Sequence, residues 1–353
     1  MKTVAVFGAY GHTGRFVVAE LRARGFAPLL LGRNADRLEA LAAEHPGLEH
    51  RVASAGDPAS LDAAVKGAAA VINCAGPFAS TAGPVIEAAL RARIPYVDVA
   101  AEIEANVDTF DRYAEPAREA GVVVVPAMAF YGGLGDLLVT AAIGDTDAAT
   151  GDTSAGAIGD IGAADEVHVA YGLSSWQPTA GTLAAGVVSR DRRGGRRVRY
   201  TGGRLEYYPA EGDLPTVEWE FPAPLGRRAV LGGFTMPDVV TVPSHLRVSE
   251  VHTYMTIEAA TGLAAAVPVE ESGRTAETFT VDVVVRTGGT QRRSTASGRD
   301  IYAVSAPLAV EAVDRILTGR THRAGGVTSA GEIFDAADFL RALSAHLTVT
   351  SIA

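Results

Sequence analysis

The chain has 353 residues, 48% of them hydrophobic and 20% charged, and its formal net charge at pH 7 is -10. This length predicts two domains, and the composition is typical of a globular protein and excludes a disordered, collagen-like or coiled-coil architecture. The acidic balance argues against a nucleic-acid-binding protein, and the single cysteine excludes an intramolecular disulfide, which favours a reducing compartment such as the cytoplasm.

The first 140 residues alternate short apolar runs with helical patterns. Predicted strands lie at Thr3–Phe7, Pro28–Gly32, Glu49–Ala53, Ala70–Cys74, Pro95–Val99 and Val122–Pro126. Their starts are 21 to 27 residues apart, which leaves room for a crossover helix in each gap. We therefore expect an α/β protein whose residues 1–140 form a doubly wound Rossmann domain. Asp57-Pro58 and Gly83-Pro84 are typical of helix starts, and the longest apolar stretch, residues 122–130, is too short to cross a membrane.

Residues 141–305 differ from the first part of the chain. Residues 144–164, rich in glycine, alanine and aspartate, predict a helix end and a loop. Alternation of apolar and polar residues then predicts strands at Val167–Tyr171, Val198–Tyr208, Val217–Phe221, Val251–Ile257 and Phe279–Arg286. Glycine pairs between these segments are typical of turns, so we expect a second α+β domain built on a largely antiparallel sheet.

The last segment, residues 306–353, predicts two helices at Ala306–Thr318 and Ala330–Ala345 and a strand at Leu347–Ile352. We expect these helices to return to the Rossmann domain. Few helical patterns fall between residues 150 and 300, and the main segment available to cover the second sheet is residues 259–267. An antiparallel sheet must bury its apolar face, so this face predicts a homodimer.

The first strand leads into Gly8-Ala9-Tyr10-Gly11-His12-Thr13-Gly14, which a helical pattern follows. In this strand–turn–helix context, spaced glycines predict a dinucleotide site: Gly8 for a tight turn, Gly11 for approach of the pyrophosphate and Gly14 for helix–strand packing. The helix N-terminus would then present free N–H groups to the phosphates. A plain strand–helix turn is the alternative.

The end of the second strand indicates which dinucleotide binds. An NAD site places an acidic residue there, whereas this chain has Gly32-Arg33-Asn34. The forked guanidinium of Arg33 suits a 2′-phosphate, which predicts NADP(H); a solvated surface arginine is the alternative. Asp57 would lie beside the adenine, although capping of the next helix also explains it.

Several segments resemble the saccharopine dehydrogenase-like oxidoreductases. The resemblance lies in residues 8–15, in Asn73-Cys74-Ala75-Gly76-Pro77-Phe78, and in Tyr96-Val97-Asp98 followed by Glu102. The chain departs at Ala101, where the family has glycine, and over residues 128–137 only Phe130 and Asp136-Leu137 match well. The resemblance covers residues 1–140 and implies an NADP-linked reductase or dehydrogenase acting on C=N or C=C bonds, without fixing the reaction.

The resemblance and the glycine motif together define a predicted cofactor site. Its residues are Gly8, Tyr10, Gly11, His12, Thr13, Gly14, Arg33, Asn34, Asp57, Asn73, Ala75, Gly76, Pro77 and Phe78.

Three residues after the fifth and sixth strands are candidate catalytic groups, because ligands lie outside the carboxyl ends of parallel strands. Asp98 and Glu102 are an acidic pair in which burial would raise a pKa, and Tyr131 carries a phenol that could donate a proton. Helix capping and simple packing are the alternatives. Cys74 has no histidine at activating spacing, so we expect it to be structural.

The predicted substrate-contacting residues are Phe130, Tyr131, Gly132 and Trp176. Trp176 lies in an aromatic and hydroxyl-rich loop, residues 174–182, that suits either a substrate pocket or a turn. Seven arginines lie between Arg190 and Arg204 and predict a solvated tip or a dock for a phosphate-bearing carrier or acidic partner. The eight histidines lack metal-binding spacing, so no metal is expected.

Two functions remain open. The leading one is a reductase that binds NADPH and a small-molecule substrate, in the cytoplasm and away from membranes. The alternative is a non-catalytic NADP-binding regulator, which would need no enclosed substrate cavity.

Overall fold

The computed structural model describes residues 1–150, 163–265 and 275–352. Most of the predicted loop at 144–164 and the end of the predicted covering segment at 259–267 therefore lie outside the described residues. Strands of the N-terminal domain are β1 (Thr3–Phe7), β2 (Ala27–Gly32), β3 (His50–Val52), β4 (Ala70–Asn73), β5 (Tyr96–Asp98) and β6 (Val123–Val125). Its helices are α1 (His12–Ala23), α2 (Ala35–Glu44), α3 (Pro58–Val65), α4 (Phe78–Ala92), α5 (Ile103–Ala120) and α6 (Gly135–Thr150).

The N-terminal sheet has the order β3-β2-β1-β4-β5-β6, and its neighbouring strands are all parallel. The order reverses between β1 and β4, where a doubly wound sheet opens a crevice for ligands. All residues of β4, β5 and β6 are buried, because helices cover both faces of a parallel sheet. The predicted Rossmann domain is confirmed.

A second sheet follows. Its strands are β7 (Ala163–Leu173), β8 (Arg197–Thr201), β9 (Arg204–Tyr208), β10 (Thr216–Glu220), β11 (Arg227–Gly232), β12 (Arg247–Thr256), β13 (Thr278–Thr287) and β14 (Thr290–Arg299). The main path runs β10-β11-β12-β7-β13-β14, with β8 and β9 as a hairpin beside β12. Apart from the parallel β12–β7 pair, these neighbours are antiparallel, which confirms the predicted second sheet.

The second sheet is strongly curled. The indole Nε1 of Trp219 on β10 donates to Asp282 Oδ2 on β13 at 2.8 Å, although three strands separate β10 from β13. The guanidinium of Arg293 on β14 likewise reaches the carbonyl of Glu220. The sequence offers few helices to cover the apolar face of the second sheet. The curled sheet therefore covers part of this face itself, and α6 packs on β13 and β14.

Three helices follow β7 in the described part of the second domain: α7 (Ala180–Arg192), α8 (Asp238–Thr241) and α9 (Ile257–Ala265). The sequence predicted a loop over residues 174–182 and an exposed arginine-rich tip from Arg190, but no helix between them. Thr179 is the N-cap of this helix, and its hydroxyl accepts from the Thr182 N–H at 3.1 Å. The predicted loop over residues 174–182 is thus an approach to a helix that crosses α4 and α5.

The C-terminal segment joins both sheets. Its elements are α10 (Ser305–Leu317), β15 (Gly326–Val327), α11 (Ala330–Ile333), α12 (Ala336–Ala342) and β16 (Thr348–Ile352). Helix α10 packs on α1, β15 extends the N-terminal sheet beside β6, α11 and α12 pack on α6, and β16 pairs with β14. Asp335 caps α12, so the predicted single helix at 330–345 is two short ones.

Helix α4 corrects another prediction. It begins at Phe78, and Pro84 lies inside it, whereas the sequence placed its start at Gly83-Pro84. A distant carboxylate sets this start: Glu102 accepts hydrogen bonds from the N–H groups of Phe78 and Ala79.

Candidate active site

A cavity of about 1020 Å³ lies between the two domains, at the carboxyl ends of the parallel strands. Its walls come from the glycine-rich loop, the ends of β2 and β4, the start of α5, the turn after β6, and α7. It is large enough for a dinucleotide portion and a small substrate together. Most predicted site residues line it.

The glycine-rich loop forms one wall. Gly8 has a φ of +85°, and a Cβ there would lie 2.9 Å from the backbone nitrogen of Ala75, so only glycine fits this turn. Gly14 packs directly on the carbonyl oxygens of Gly8 and Ala9. Gly11, His12 and Thr13 line the cavity at the start of α1, whose N-terminus has no side-chain cap. These residues fit a pyrophosphate, which would accept from the uncapped N–H groups.

The end of β2 forms an arginine-rich rim. The ring of Tyr10 lies over Gly32, where a Cβ would collide with it, and the guanidinium carbon of Arg37 lies 4.5 Å from the centre of this ring. Arg33 is exposed at the cavity and has no side-chain hydrogen bond or ion pair among the described residues. Asn34 lines the cavity while its side chain caps α2 by accepting from Arg37 N–H. Arg33 therefore retains the donors that a 2′-phosphate needs.

The loop after β4 forms the opposite wall. Ala75, Gly76, Pro77 and Phe78 line the cavity. Asn73 lies behind them, fully buried, and its Oδ1 accepts from Ala75 N–H at 3.0 Å. Asn73 therefore shapes the loop rather than contacting the cavity.

Glu102 lines the cavity and is 4% exposed. Its oxygens accept from Phe78 N–H at 2.6 Å and Ala79 N–H at 3.0 Å. Burial raises the pKa of this carboxyl, and the two N–H groups oppose the rise. Because both oxygens cap α4, the geometry supports a structural role for Glu102 more than the predicted role of proton donor.

Asp98 does not line the cavity. It is 1% exposed, and its carboxylate accepts from the Tyr96 hydroxyl and from the N–H groups of Ala100 and Ala127 at 2.8 to 3.0 Å. Burial raises the pKa of Asp98 to about 6. These contacts make it a buried anchor of the loops after β5 and β6, in place of the predicted catalytic role.

Tyr131 lies on the cavity wall, within an irregular turn at Phe130–Leu134 in which Tyr131 and Gly132 have non-helical backbone angles. Its hydroxyl is buried and has no hydrogen-bond partner among the described residues. Burial raises the pKa of Tyr131, so the phenol keeps its proton at neutral pH. Of the three predicted catalytic residues, Tyr131 is therefore the one with an available proton at the cavity.

Gly132 lies behind Tyr131 rather than on the cavity wall. Its φ is +89°, and a Cβ would lie 2.9 Å from Ala127 Cβ and 3.0 Å from Pro237 Cβ. The predicted substrate contact of Gly132 is thus replaced by a backbone role, because this glycine permits the turn that presents Phe130 and Tyr131 to the cavity.

Trp176 lines the cavity from the second domain. Its ring centre lies 5.3 Å from that of Tyr131, and its Nε1 donates to the Tyr302 hydroxyl at 3.2 Å. The same hydroxyl bonds with the Thr182 hydroxyl at 2.9 Å, and the Tyr302 ring lies edge-on to His12 at 5.1 Å. Tyr302 thus connects the glycine-rich loop to the start of α7.

Sequence reasoning missed Tyr302, Arg37 and the end of α7. Tyr302 precedes α10 in a segment without a recognisable motif. The sequence of α2 does not distinguish Arg37 from other exposed helical arginines. Arg190 and Arg193 line the cavity, so part of the predicted arginine tip faces inward.

Asp57, predicted beside the adenine, lies outside the cavity wall, and its side chain caps α3 by accepting from Ser60 N–H. No metal-binding group of three or more His, Cys, Asp or Glu occurs in residues 1–150, 163–265 and 275–352.

Residues 4–125 match the family model of the saccharopine dehydrogenase NADP binding domain. The N-terminal third of the chain is similar to this family. The match confirms the resemblance read from residues 8–15 and 73–78, and it confirms NADP(H) as the cofactor. The matched segment thus includes the glycine-rich loop and the wall after β4, while α7, Trp176 and Tyr302 lie beyond it.

Curated relatives match about a third of the chain. Saccharopine dehydrogenase-like oxidoreductases from Bos taurus and Homo sapiens are 30% identical over 145 residues, which is 36% of this chain and 34% of each relative. A probable mitochondrial saccharopine dehydrogenase-like oxidoreductase from Arabidopsis thaliana is 31% identical over 142 residues. The match spans only about a third of the length of these relatives.

The apo structure of saccharopine dehydrogenase (L-Glu forming) from Saccharomyces cerevisiae is similar over the full length of both chains, with a TM-score of 0.64 and 12% identity. At this identity the likeness shows the fold alone. It extends the saccharopine dehydrogenase fold to the second sheet and the C-terminal segment.

Proposed function

We propose that this protein is an NADP(H)-dependent oxidoreductase that transfers a hydride to a polarised C=N or C=C bond of a small-molecule or carrier-linked metabolite. The observation that supports it most is the Tyr131 hydroxyl, buried on the cavity wall without a partner in the described part of the chain. A buried hydroxyl left unpaired is costly, and a substrate heteroatom would satisfy it.

Different residues of the chain would bind the cofactor, restrict the substrate and donate the proton. Gly11, His12, Thr13 and Arg33 would bind the phosphates of NADPH, which supplies the hydride when bound. Phe78 and Trp176 would restrict the bound substrate and exclude water. Tyr131 holds a proton at Oη, and this proton would pass to the nitrogen or carbon that becomes electron-rich as the double bond is reduced.

The alternative is an NADP-binding regulator without catalysis. A sensor needs the dinucleotide wall but no enclosed space beyond it. The cavity here continues past the β4 loop to Trp176 and α7, where polar groups of both domains converge. This extension favours the enzyme.

A hydride-transfer screen tests the proposal. NADPH oxidation would be followed at 340 nm with imines, enoyl thioesters and enones, using the wild-type chain and Tyr131→Phe. We expect turnover with at least one class, and we expect Tyr131→Phe to lower kcat roughly 10²- to 10⁴-fold while NADPH affinity stays nearly unchanged. NADPH binding without turnover in any class would favour the regulator. Turnover that Tyr131→Phe leaves intact would remove Tyr131 from the mechanism.

Two further proposals concern the surroundings of the enzyme. We place it in the cytoplasm, and in the described residues no helix has the length and apolar character needed to span a membrane. We also propose a homodimer formed through the second domain. Sedimentation at micromolar concentration tests the dimer, and a strictly monomeric mass would contradict it.

A further inference from the structure

We propose that Asp238, acting through Tyr171, is a positioning residue for Tyr131. The inference rests on the role proposed above for the Tyr131 hydroxyl and adds a second layer of residues behind it. These two residues come from α8 and β7, and neither was singled out by the sequence.

A chain of contacts joins the three side chains. The hydroxyl of Tyr171 donates to Asp238 Oδ2 at 2.8 Å. The backbone N–H of Gly132, the residue after Tyr131, lies near the same hydroxyl and opposes the rise of its pKa. The rings of Tyr171 and Tyr131 lie 4.9 Å apart, with an angle of 63° between their planes. Asp238 thus orients Tyr171, and Tyr171 contacts the ring of Tyr131 in the catalytic turn.

The turn needs this support because its backbone is unusual. Gly132 has a φ of +89° and a ψ of -70°, outside the conformations of a regular helix. Pro237, the residue before Asp238, packs against Gly132. Strained backbone persists only where the surroundings over-determine it, and here the packing comes from the Pro237-Asp238 segment and its partner Tyr171.

Asp238 is itself poised to change charge. It is fully buried, and its Oδ1 has no hydrogen-bond partner among the described residues. The titratable groups around it are Tyr171 on β7, Tyr131 in the turn and Asp136 on α6. Burial, aided by the negative charge of Asp136, raises the pKa of Asp238 to about 7.

Asp136 differs from Asp238 in its contacts, because both of its carboxylate oxygens have hydrogen-bond partners. Its Oδ1 bonds with His245 Nε2 at 2.7 Å and its Oδ2 accepts Gly331 N–H at 2.6 Å. Only one carboxylate oxygen of Asp238 has a side-chain hydrogen-bond partner among the described residues, so this carboxyl would gain and lose its proton near neutral pH. When the carboxylate is ionised it accepts strongly from Tyr171; when it is protonated that hydrogen bond weakens. We expect the position of the Tyr131 ring to change with the strength of this hydrogen bond.

The fluorescence of Trp176 provides a readout that needs no substrate. The chain has two tryptophans, and Trp176 packs on Tyr131 with ring centres 5.3 Å apart. In a Trp219→Phe parent, the emission of Trp176 would be titrated from pH 5.5 to 8.5. We expect a transition centred near pH 7 in this parent, its loss in Asp238→Asn, and its loss in Tyr171→Phe.

Tyr254→Phe is the matched control. Tyr254 lies on β12, its hydroxyl bonds with His168, and its ring packs with Ala170 and Phe221 on the face of the sheet opposite Tyr171. We expect this variant to keep the transition of the parent. Circular dichroism and NADPH affinity, the latter unchanged within about twofold, show that each variant is folded. Should Asp238→Asn fold poorly, Tyr171→Phe carries the test, because it deletes one oxygen atom.

Two outcomes would overturn the proposal: a parent without any transition in this range, or a transition that persists in both Asp238→Asn and Tyr171→Phe. Once a substrate is found, both variants should lower kcat roughly 10- to 100-fold, with unchanged NADPH affinity and a flatter pH profile. Absence of turnover in the wild type would contradict the proposed function but not the fluorescence result. Normal turnover in both variants would contradict the positioning role alone.

Discussion

At the scale of single residues, the polar groups of the candidate site are of two kinds. Some already have hydrogen-bond partners within the protein, and others have none in the part that the structure describes. Glu102, Asp98 and Asn73 hold loops and helix ends together. Arg33 and Tyr131 line the cavity, and neither the Arg33 guanidinium nor the buried Tyr131 hydroxyl has a hydrogen-bond partner among the described residues. The first set is therefore expected to act on stability, and the second on binding and chemistry.

Arg33 carries the first prediction. Arg33→Ala should weaken NADPH binding by roughly 10- to 100-fold, since a charge-assisted contact to a phosphate contributes about 1.5–3 kcal/mol. NADH lacks the 2′-phosphate, so its affinity should stay the same. Fluorescence titration of both cofactors measures this. Arg204→Ala, an exposed arginine of β9 away from the cavity, is the control. Equal affinity of the wild type for the two cofactors would contradict the assignment.

Glu102 gives the second prediction. In Glu102→Gln one acceptor remains, but the charge that caps α4 is gone, so the free energy of unfolding should fall by about 1 kcal/mol. Turnover should fall far less than in Tyr131→Phe. Urea unfolding and steady-state kinetics on the same preparations separate the two effects. A loss of turnover of 10²-fold or more with unchanged stability would restore Glu102 as the proton donor.

At the scale of elements, local signals were predictable and distant ones were not. The turn from β1 into α1 follows from Gly8, Gly11 and Gly14 because each glycine acts on its immediate neighbours. The start of α4 depends on Glu102, 24 residues after Phe78, so the nearby Gly83-Pro84 gave a wrong start. The placement of Tyr302 beside Trp176 joins residues 126 positions apart and has no local signature.

Gly132 supplies a prediction for the irregular turn at Phe130–Leu134. Gly132→Ala forces a Cβ against Ala127 and Pro237 at positive φ, which should cost roughly 1–3 kcal/mol of stability. It should lower kcat more than NADPH affinity, because the turn carries Tyr131 but no phosphate contact. Gly144→Ala in α6 is the control: it lies outside the cavity wall and nothing lies within 4 Å of a Cβ there, so it should be neutral or stabilising by up to about 1 kcal/mol. Similar effects of both substitutions would contradict the role of the turn.

At the scale of the whole molecule, the cavity exists only because the chain crosses between two sheets. The N-terminal sheet order follows from regular strand spacing and the right-handed βαβ rule. The curl of the second sheet does not, because it depends on contacts such as Trp219 with Asp282 across three intervening strands. Alternation in the sequence reveals strands, whereas the side chains that meet across a curved sheet depend on pairing order.

The last prediction concerns stability as a function of pH. Burial raises the pKa of Asp98 to about 6 and that of Asp238 to about 7, both above the usual value of 3.8. The folded state then binds these protons more tightly than the unfolded state, so the associated stability is complete below about pH 4 and is lost as the pH rises through 6 and 7. For Asp238 alone, the loss between pH 5 and pH 8 is roughly 2–3 kcal/mol.

Asp238→Asn removes this proton, so its free energy of unfolding should decline less than that of the wild type over this range. Urea unfolding at pH 5 and pH 8 measures the difference, with the exposed Asp36→Asn of α2 as the control. An equal decline in wild type and Asp238→Asn would mean that Asp238 stays ionised in the folded protein throughout this range.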